Sequence, residues 1–446
     1  METVDILMGD PRKSIPKLSF PIIISNLAFT LYNFADGIWV AGLGAEALSA
    51  IGIFFPIFMI FLALSFGLSI GLSSAISRGI GGGKDVNNIA NHGVIIGLII
   101  SLFLLTTHFK LEEILNLVGA REAVLALALN YGRIIVLASP LLVFNSVFVG
   151  ILNGEGNTKM TMYANVAGSL VNILLDPVFI YILGLGISGA AFASVASMLI
   201  SLLILICVFL TKRSFVRITL PEIRLDFRVI FDILRVGIPS SFSMLTMSVS
   251  MAILNSLIVK TDIYGVAVFT SAWRVLSFGF IPLFGIAAAT TAVTGAAYGG
   301  KNVEKLKSAL LYAVKLAFTV ELGIAAAMIL LSGKIAYLFT YSEKSEVIYE
   351  ELVETLKIMP IFLPFAAFGF VSNSTFQGMG KGERVFVITF LRTVVLQLGL
   401  AFLFAFVLGL GFFGIVIGVT LGNVLASFVA FLWVIFTVRS LAHSKF

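Results

Sequence analysis

Twelve stretches of this chain are long and apolar enough to cross a bilayer, and that count constrains the fold more than any other feature. A spanning helix needs roughly 20 predominantly apolar residues. Such runs recur at 16–42, 48–77, 89–109, 123–152, 160–183 and 187–211, then at 228–259, 265–298, 308–332, 355–377, 385–408 and 412–438. They are continuously apolar and do not alternate at every second residue, which excludes a β-barrel. Only 12% of the 446 residues are charged, about half the share of a soluble domain. The expected fold class is an all-α integral membrane protein of about twelve transmembrane helices.

Charge placement sets the expected topology and removes a function class. A net charge of +6 would suit a nucleic-acid partner, but the placement of the basic residues between the spans accounts for it as a topology signal. Arg12, Lys13, Lys17, Arg78, Lys84, Lys159, Lys301, Lys305, Lys307, Lys381, Arg384, Arg439 and Lys445 fall on the side of the N-terminus. The connection at 212–235 adds Lys212, Arg213, Arg217, Arg224, Arg228 and Arg235 to that side. The opposite side holds fewer: Lys110, Arg121, Lys260, Lys334, Lys344 and Lys357. By the positive-inside rule both termini are cytoplasmic in a multi-pass plasma-membrane protein, and no nucleic-acid partner is expected. The first apolar run is too long for a cleavable signal. The single Cys207 excludes an internal disulfide and any cysteine-based metal site. His92, His108 and His443 are scattered, and Gly81-Gly82-Gly83-Lys84 lacks the spacing of a P-loop.

The chain repeats itself. Pro140 leads at fixed spacing to Gly154-Glu155-Gly156-Asn157-Thr158-Lys159, and Pro364 leads at the same spacing to Gly378-Met379-Gly380-Lys381-Gly382-Glu383. GLGISG at 184–189 matches GLGFFG at 409–414, GGGK at 81–84 matches YGGK at 298–301, and Pro21 matches Pro239. Six spans per half is an even number, so both copies share one orientation and relate by a pseudo-twofold along the membrane normal. The expected division is an N-terminal lobe at 1–211, a charged cytoplasmic linker at 212–235 containing Pro221, and a C-terminal lobe at 236–446.

Acids inside the membrane point to function. Asp36 lies within the first run, where a carboxylate costs about 2.5–3.5 kcal/mol on insertion scales and marks a proton or cation site by default. Tyr32 and Asn33 precede it by four and three residues and share its side of a helix. Pro21 removes a backbone hydrogen bond and permits a bend. Asn165, Asn172 and Asp176 recur at intervals of seven and four, one face of the fifth helix, and Pro177 loosens that helix directly after the acid. Both acids are expected at similar height in the outer half of the membrane. Asn145 is expected to face the same cavity from a deeper level, with Tyr131 closing its outer end.

Projected onto the second half, Asp36 meets Leu254 and Asp176 falls near Leu400. The scaffold is duplicated while these acids are not. The plainer alternatives are an Asp36 that reaches the surface, an Asp176 that ties up backbone freed by Pro177, and asparagines that only bridge helices. Glu321, Arg274, Arg392, Asn373 and Gln377 are secondary polar candidates in second-half spans.

The stretches YNFADGIWVAGLGAEALSAIG at 32–52, 139–159 ending in GEGNTK, and NILLDPVFIYILGLGISGAAFASV at 172–195 resemble the multidrug and toxic compound extrusion (MATE) family. The likeness runs over nearly the whole chain. It implies a two-lobed fold of six plus six helices and an exporter, not an enzyme, that expels bulky amphipathic, often cationic compounds against inward flow of H⁺ or Na⁺. It further implies that Asp36, Asn172 and Asp176 form the coupling site, with Na⁺ as one ion the three would hold. Tyr32, Asn33, Tyr131, Asn145 and Asn165 would support that site or line the substrate cavity, and Pro21 would let the first helix bend. Some family members place acids in the seventh and tenth helices, whereas 239–259 and 359–377 contain none. The archaeal and DNA-damage-inducible-type branches look closer. The expected partners are small organic substrates and membrane lipid, the protein is expected to be a monomer, and no cofactor is expected beyond the coupling ion.

A flippase for lipid-linked or polar metabolites on the same scaffold is the runner-up, although such relatives usually carry extra spans. A major-facilitator transporter does not suit the 78–92 loop, RGIGGGKDVNNIANH. A membrane enzyme would need a convergent His, Cys, Ser or metal constellation, and a channel does not suit proline-bearing helices around a mid-membrane site.

Overall fold

The computed structural model describes residues 2–219, 225–341 and 345–443. Pro221, Arg224, Lys344 and Lys445, which entered the readings above, lie outside the described residues. Among the described residues the regular structure is helical throughout, and the spans fall where the apolar runs place them. They are Pro11–Ala41, Ala45–Gly81, Val86–Val118, the pair Glu122–Leu137 and Ser139–Gly154, Thr158–Ile182 and Ile187–Leu210. Phe227–Val259, Gly265–Gly299, Val303–Leu330, Glu346–Gly378, Gly382–Val407 and Gly411–His443 complete the set. The fourth span bends by 44° between its two pieces, at the point where Pro140 begins the second of them and cannot donate to the preceding turn. These spans make the protein an all-helical, multi-pass membrane protein.

The repeat seen in the sequence is repeated in backbone detail. Val178–Ile182 and Leu403–Val407 are both single π-helical turns. Leu183 N–H donates to Val178 O at 2.8 Å, and Leu408 N–H donates to Leu403 O at 3.0 Å. The glycines that follow match as well, with φ of +67° and +56° at Gly184 and Gly186 against +69° and +56° at Gly409 and Gly411. Those left-handed conformations explain why both copies read GLG. A side chain at Gly189 would put its Cβ 2.6 Å from the Phe179 carbonyl carbon, and one at Gly414 would sit 2.6 Å from that of Phe404. The turns fix the local offset at 225 residues, which places Ala401 opposite Asp176, Gln397 opposite Asn172 and Phe402 opposite Pro177.

Contacts divide the chain into two compact units. One comprises residues 1–9 and 20–241, the other 10–19 and 242–446. Each unit therefore takes its helices from one half, apart from the starts of the first and seventh spans, which are exchanged. The core of the first unit is aliphatic and aromatic, with Phe54, Phe61, Leu72, Ile76, Leu104, Leu111, Val143 and Val147 all buried. The second unit also holds a group of phenylalanines, with the Phe280 ring centroid 6.0 Å from that of Phe362 and 5.8 Å from that of Phe370.

The connection between the sixth and seventh spans is fastened rather than free at its described end. Asn157 Nδ2 donates to Arg213 O, Arg217 N–H donates to Asn87 Oδ1 at 2.8 Å, and Thr219 N–H donates to Asn91 Oδ1 at 3.0 Å. Phe227 then begins the seventh span, so residues 227–235 are helical. Arg78 Nη2 binds Asp232 Oδ1 at 2.9 Å within the same unit.

Candidate functional site

The site is built by two helices held at the same height. Trp39 lies one turn after Asp36 on the first span, and Tyr181 lies just over one turn after Asp176 on the fifth. The Tyr181 hydroxyl donates to the Trp39 carbonyl, and the two rings meet edge to face with centroids 6.2 Å apart. The strand of π turn that carries Tyr181 is thus pinned to the helix that carries Asp36. This contact ties the two acid-bearing helices together about one turn beyond the acids.

Asp176 and Asn172 are both fully buried, at 0% exposure. Neither oxygen of Asp176 and neither polar atom of the Asn172 amide has a hydrogen-bond partner. Asp36 is half-buried, and its Oδ1 is likewise enclosed without a partner. The two carboxylates are electrostatic neighbours. Tyr32, one turn before Asp36, lies within the field of both charges and close to Ser194 on the sixth span. Tyr131 also lies within the field of Asp36, Tyr32 and Asp176, its ring set edge-on against Phe54 at 5.6 Å. No lysine or arginine among the described residues pairs with either acid. Two carboxylates beside a free amide, with no protein cation to balance them, form an arrangement able to take up a proton or a small cation. Amide, carboxylate and phenol oxygens are hard ligands of the kind an alkali cation takes.

The other candidates are placed differently. Asn145 commits its amide nitrogen to Leu141 O and to Met198 O, both at 2.9 Å, and so ties the fourth span to the sixth. Its Oδ1 remains enclosed and unpaired. Asn33 is exposed, and its amide donates to Phe29 O on its own helix at 2.7 Å. Asn165 is half-buried two turns before Asn172, with no hydrogen bond joining it to the acids. Pro21 is buried in a helix that runs through it unbroken, and Ser25 Oγ donates to the Pro21 carbonyl at 3.1 Å. Pro177 immediately precedes the π turn.

A search against family models matches residues 21–178 and 239–403 to the family described as MatE, one segment in each half. The chain belongs to the MatE family. Among curated relatives, the multidrug export protein MepA of Staphylococcus saprophyticus is 22% identical over 388 residues, covering 86% of this chain and 85% of its own. The probable multidrug resistance protein YpnP of Bacillus subtilis is 26% identical over 441 residues and 97% of each chain. Solved structures are closer. An outward-facing multidrug resistance MATE transporter of the MOP superfamily is 44% identical, with a TM-score of 0.96 over 100% of this chain and 99% of that one. A MOP superfamily transporter from Pyrococcus furiosus, described as having a binding pocket of reversed polarity that suggests a different function, is 44% identical with a TM-score of 0.95 over 99% of both chains. Membership in the MATE family makes this protein a membrane transporter and not an enzyme.

Three features of this MATE chain escape a reading of sequence alone. Ser194 sits in a run of small residues and carries no signal beyond its size. The Trp39–Tyr181 clasp joins residues 142 apart. Glu155, legible only as part of the repeated GEG motif, is fully buried at the C-terminal end of the fourth span. It accepts from Val216 N–H and Ser214 Oγ, both at 2.9 Å, and from Asn157 Nδ2 at 3.2 Å. Burial pushes its carboxyl above the ordinary value of 4.5, and those donors oppose the rise. Its counterpart in the second half is the buried Met379.

Proposed function

We propose that this MATE transporter exports amphipathic, often cationic organic compounds in exchange for H⁺ or Na⁺ by alternating access. Asp36, Asp176 and Asn172 hold the coupling ion, with Tyr32 and Tyr131 around them, and Pro21 relaxes the first helix. The relatives named as multidrug export and multidrug resistance proteins support the substrate class. The observation that carries the ion-coupling reading is the pair of neighbouring carboxylates, beside an unpaired buried amide, that no protein cation neutralises. Occupancy by an ion from outside stabilises one conformation of the carrier, and substrate stabilises the other. That difference in affinity is what converts an ion gradient into export. One proton falling through one pH unit releases about 1.4 kcal/mol, enough for tenfold accumulation of one substrate molecule.

The chain works as a monomer in the plasma membrane with both termini in the cytoplasm and lipid around its spans, and it binds no nucleic acid. A second reading, export or flipping of a lipid-linked or polar metabolite, is favoured by the different function suggested for the Pyrococcus furiosus relative.

Reconstituted vesicles loaded with a fluorescent organic cation test the proposal under an imposed pH or Na⁺ gradient, with Asp36→Asn beside the unaltered chain. Movement that follows one gradient and disappears in the variant establishes antiport and names the ion. Movement that ignores both gradients, or survives in Asp36→Asn, sinks the coupling assignment and favours the second reading.

A further inference from the structure

The second half buries a cation as well as the acid Glu321. Arg392 lies near the middle of the eleventh span and is 9% exposed. A guanidinium at that depth is costly and needs an anion or a polar cavity to satisfy it. Its recorded partners supply neither. The charge sits 5.2 Å from the centroid of the Phe370 ring, Nη2 approaches Met247 Sδ at 3.4 Å, and Nε is enclosed with no partner. A ring face and a thioether are weak acceptors that leave the charge uncompensated. Glu321, a fully buried acid in the same unit, is not paired with it, and both Glu321 oxygens are themselves without partners.

The backbone around Arg392 is also particular to this half. Leu391–Leu398 forms a long π segment, whereas the corresponding stretch of the first half is ordinary α-helix within Thr158–Pro177. The residue matching Arg392 there is Ala167. A π segment re-aims side chains and recurs at ligand sites. Phe370, which the guanidinium overlies, is one edge of an aromatic group with Phe284 at 5.4 Å and Phe280 at 5.8 Å. One turn beyond Phe370, Asn373 offers an enclosed and unpaired Oδ1.

We propose that Arg392 is a recognition site for the carboxylate of an aromatic amphiphile, the aromatic body packing against the Phe370 group. This extends the exporter's range to zwitterions and rests on the export reading above. A planar guanidinium takes a carboxylate through two parallel hydrogen bonds, and the low-dielectric surroundings strengthen them.

A matched pair of dyes tests it: a rhodamine with a free carboxylate, and its methyl ester. Binding is followed by fluorescence polarisation on the purified full-length protein, with no gradient present. Arg392→Gln is expected to weaken the free-carboxylate dye about tenfold or more and leave the ester within about twofold. Arg392→Lys keeps the charge but not the fork, and falls between. Equal weakening of both dyes, or of neither, overturns the proposal. If Arg392→Gln does not fold, the acid-to-ester ratio in Arg392→Lys carries the test alone. Displacement of both dyes by phosphatidylglycerol but not phosphatidylcholine, abolished in the variant, assigns the site to a lipid headgroup and overturns the carboxylate assignment. Loss of gradient-driven ester export in the unaltered protein would fail the export reading and leave this binding result standing.

Discussion

At the π turn of the first half the buried acid Asp176 and Pro177 lead into Val178–Ile182, while at the same turn of the second half Ala401 and Phe402 lead into Leu403–Val407. The backbones agree down to the φ angles of the glycines that follow, and the chemistry does not. Leu254 stands opposite Asp36, Met379 opposite Glu155 and Ala167 opposite Arg392. Duplication has preserved what packing and turn geometry demand. The side chains that do not serve packing have diverged: the first unit holds the neighbouring acids Asp36 and Asp176, and the second holds Arg392 together with the separate acid Glu321. A scaffold whose halves are interchangeable thus carries sites that are not.

The largest effect is expected where that division is attacked directly. Asp176→Asn removes one of the two neighbouring charges, and ion-driven dye export in vesicles is expected to fall to the level of vesicles without protein. Adding Ala401→Asp to that variant returns a carboxylate to the same backbone position in the other half. It lacks a partner like Asp36, and export is expected to stay absent. Rescue by Ala401→Asp would show the halves to be functionally equivalent and break the comparison.

Equivalence of the scaffold has its own test. Gly189→Val and Gly414→Val each force a side chain onto backbone 2.6 Å from the new Cβ. Overpacking of this kind costs about 1–3 kcal/mol. The two variants are expected to lower the unfolding temperature of the purified protein alike. A drop in one alone would mean that the matched close approaches are not equally used.

How much of this was legible follows the same line. The spans were legible because a bilayer imposes length and apolarity on every helix, and the repeat was legible because glycine at a left-handed φ cannot be replaced cheaply. Asp36, Asn172 and Asp176 stood out because polar groups at membrane depth are costly. Asn145 was a supporting candidate on the same ground, and its amide serves a cross-helix bond to Met198 O, since a polar residue in a span meets that cost by either route. Ser194 and the Trp39–Tyr181 clasp were not legible, because partners on different helices leave no spacing in the sequence. Nor does sequence show that residues 213–219 are fastened by Glu155, Asn157, Asn87 and Asn91, since their composition reads as an ordinary charged loop.

That fastening separates the halves again, because Met379 has no carboxylate to offer. Releasing the segment frees Glu155 from burial, so the docked state holds its proton more tightly than the released one. Docking is therefore favoured fully below pH 4.5 and weakens as pH rises through the raised folded value. Hydrogen exchange at the Val216 amide, corrected for its intrinsic pH dependence, is expected to slow as pH falls through that window. Glu155→Gln removes the titration and is expected to flatten the profile. An unchanged slope in the variant would assign the dependence to another group.

The smallest effect is expected at Pro177. Proline lacks the N–H that would bond to Ile173 O, and from sequence it is the natural cause of the loosened helix. The second half argues otherwise, because Phe402 has an N–H and the same π turn forms after it. What the two turns share is the GLG sequence and the close approach of Gly189 or Gly414 to the backbone of the turn, so those are its cause. Pro177→Ala should keep the turn, keep Tyr181 on Trp39, and change the export rate by less than the tenfold that about 1.4 kcal/mol represents. Trp39 emission reports on the clasp once Trp273 and Trp433 are replaced by Phe. An emission shift together with lost export would make Pro177 the builder of the turn, and the first half would then reach by a proline what the second reaches by packing alone.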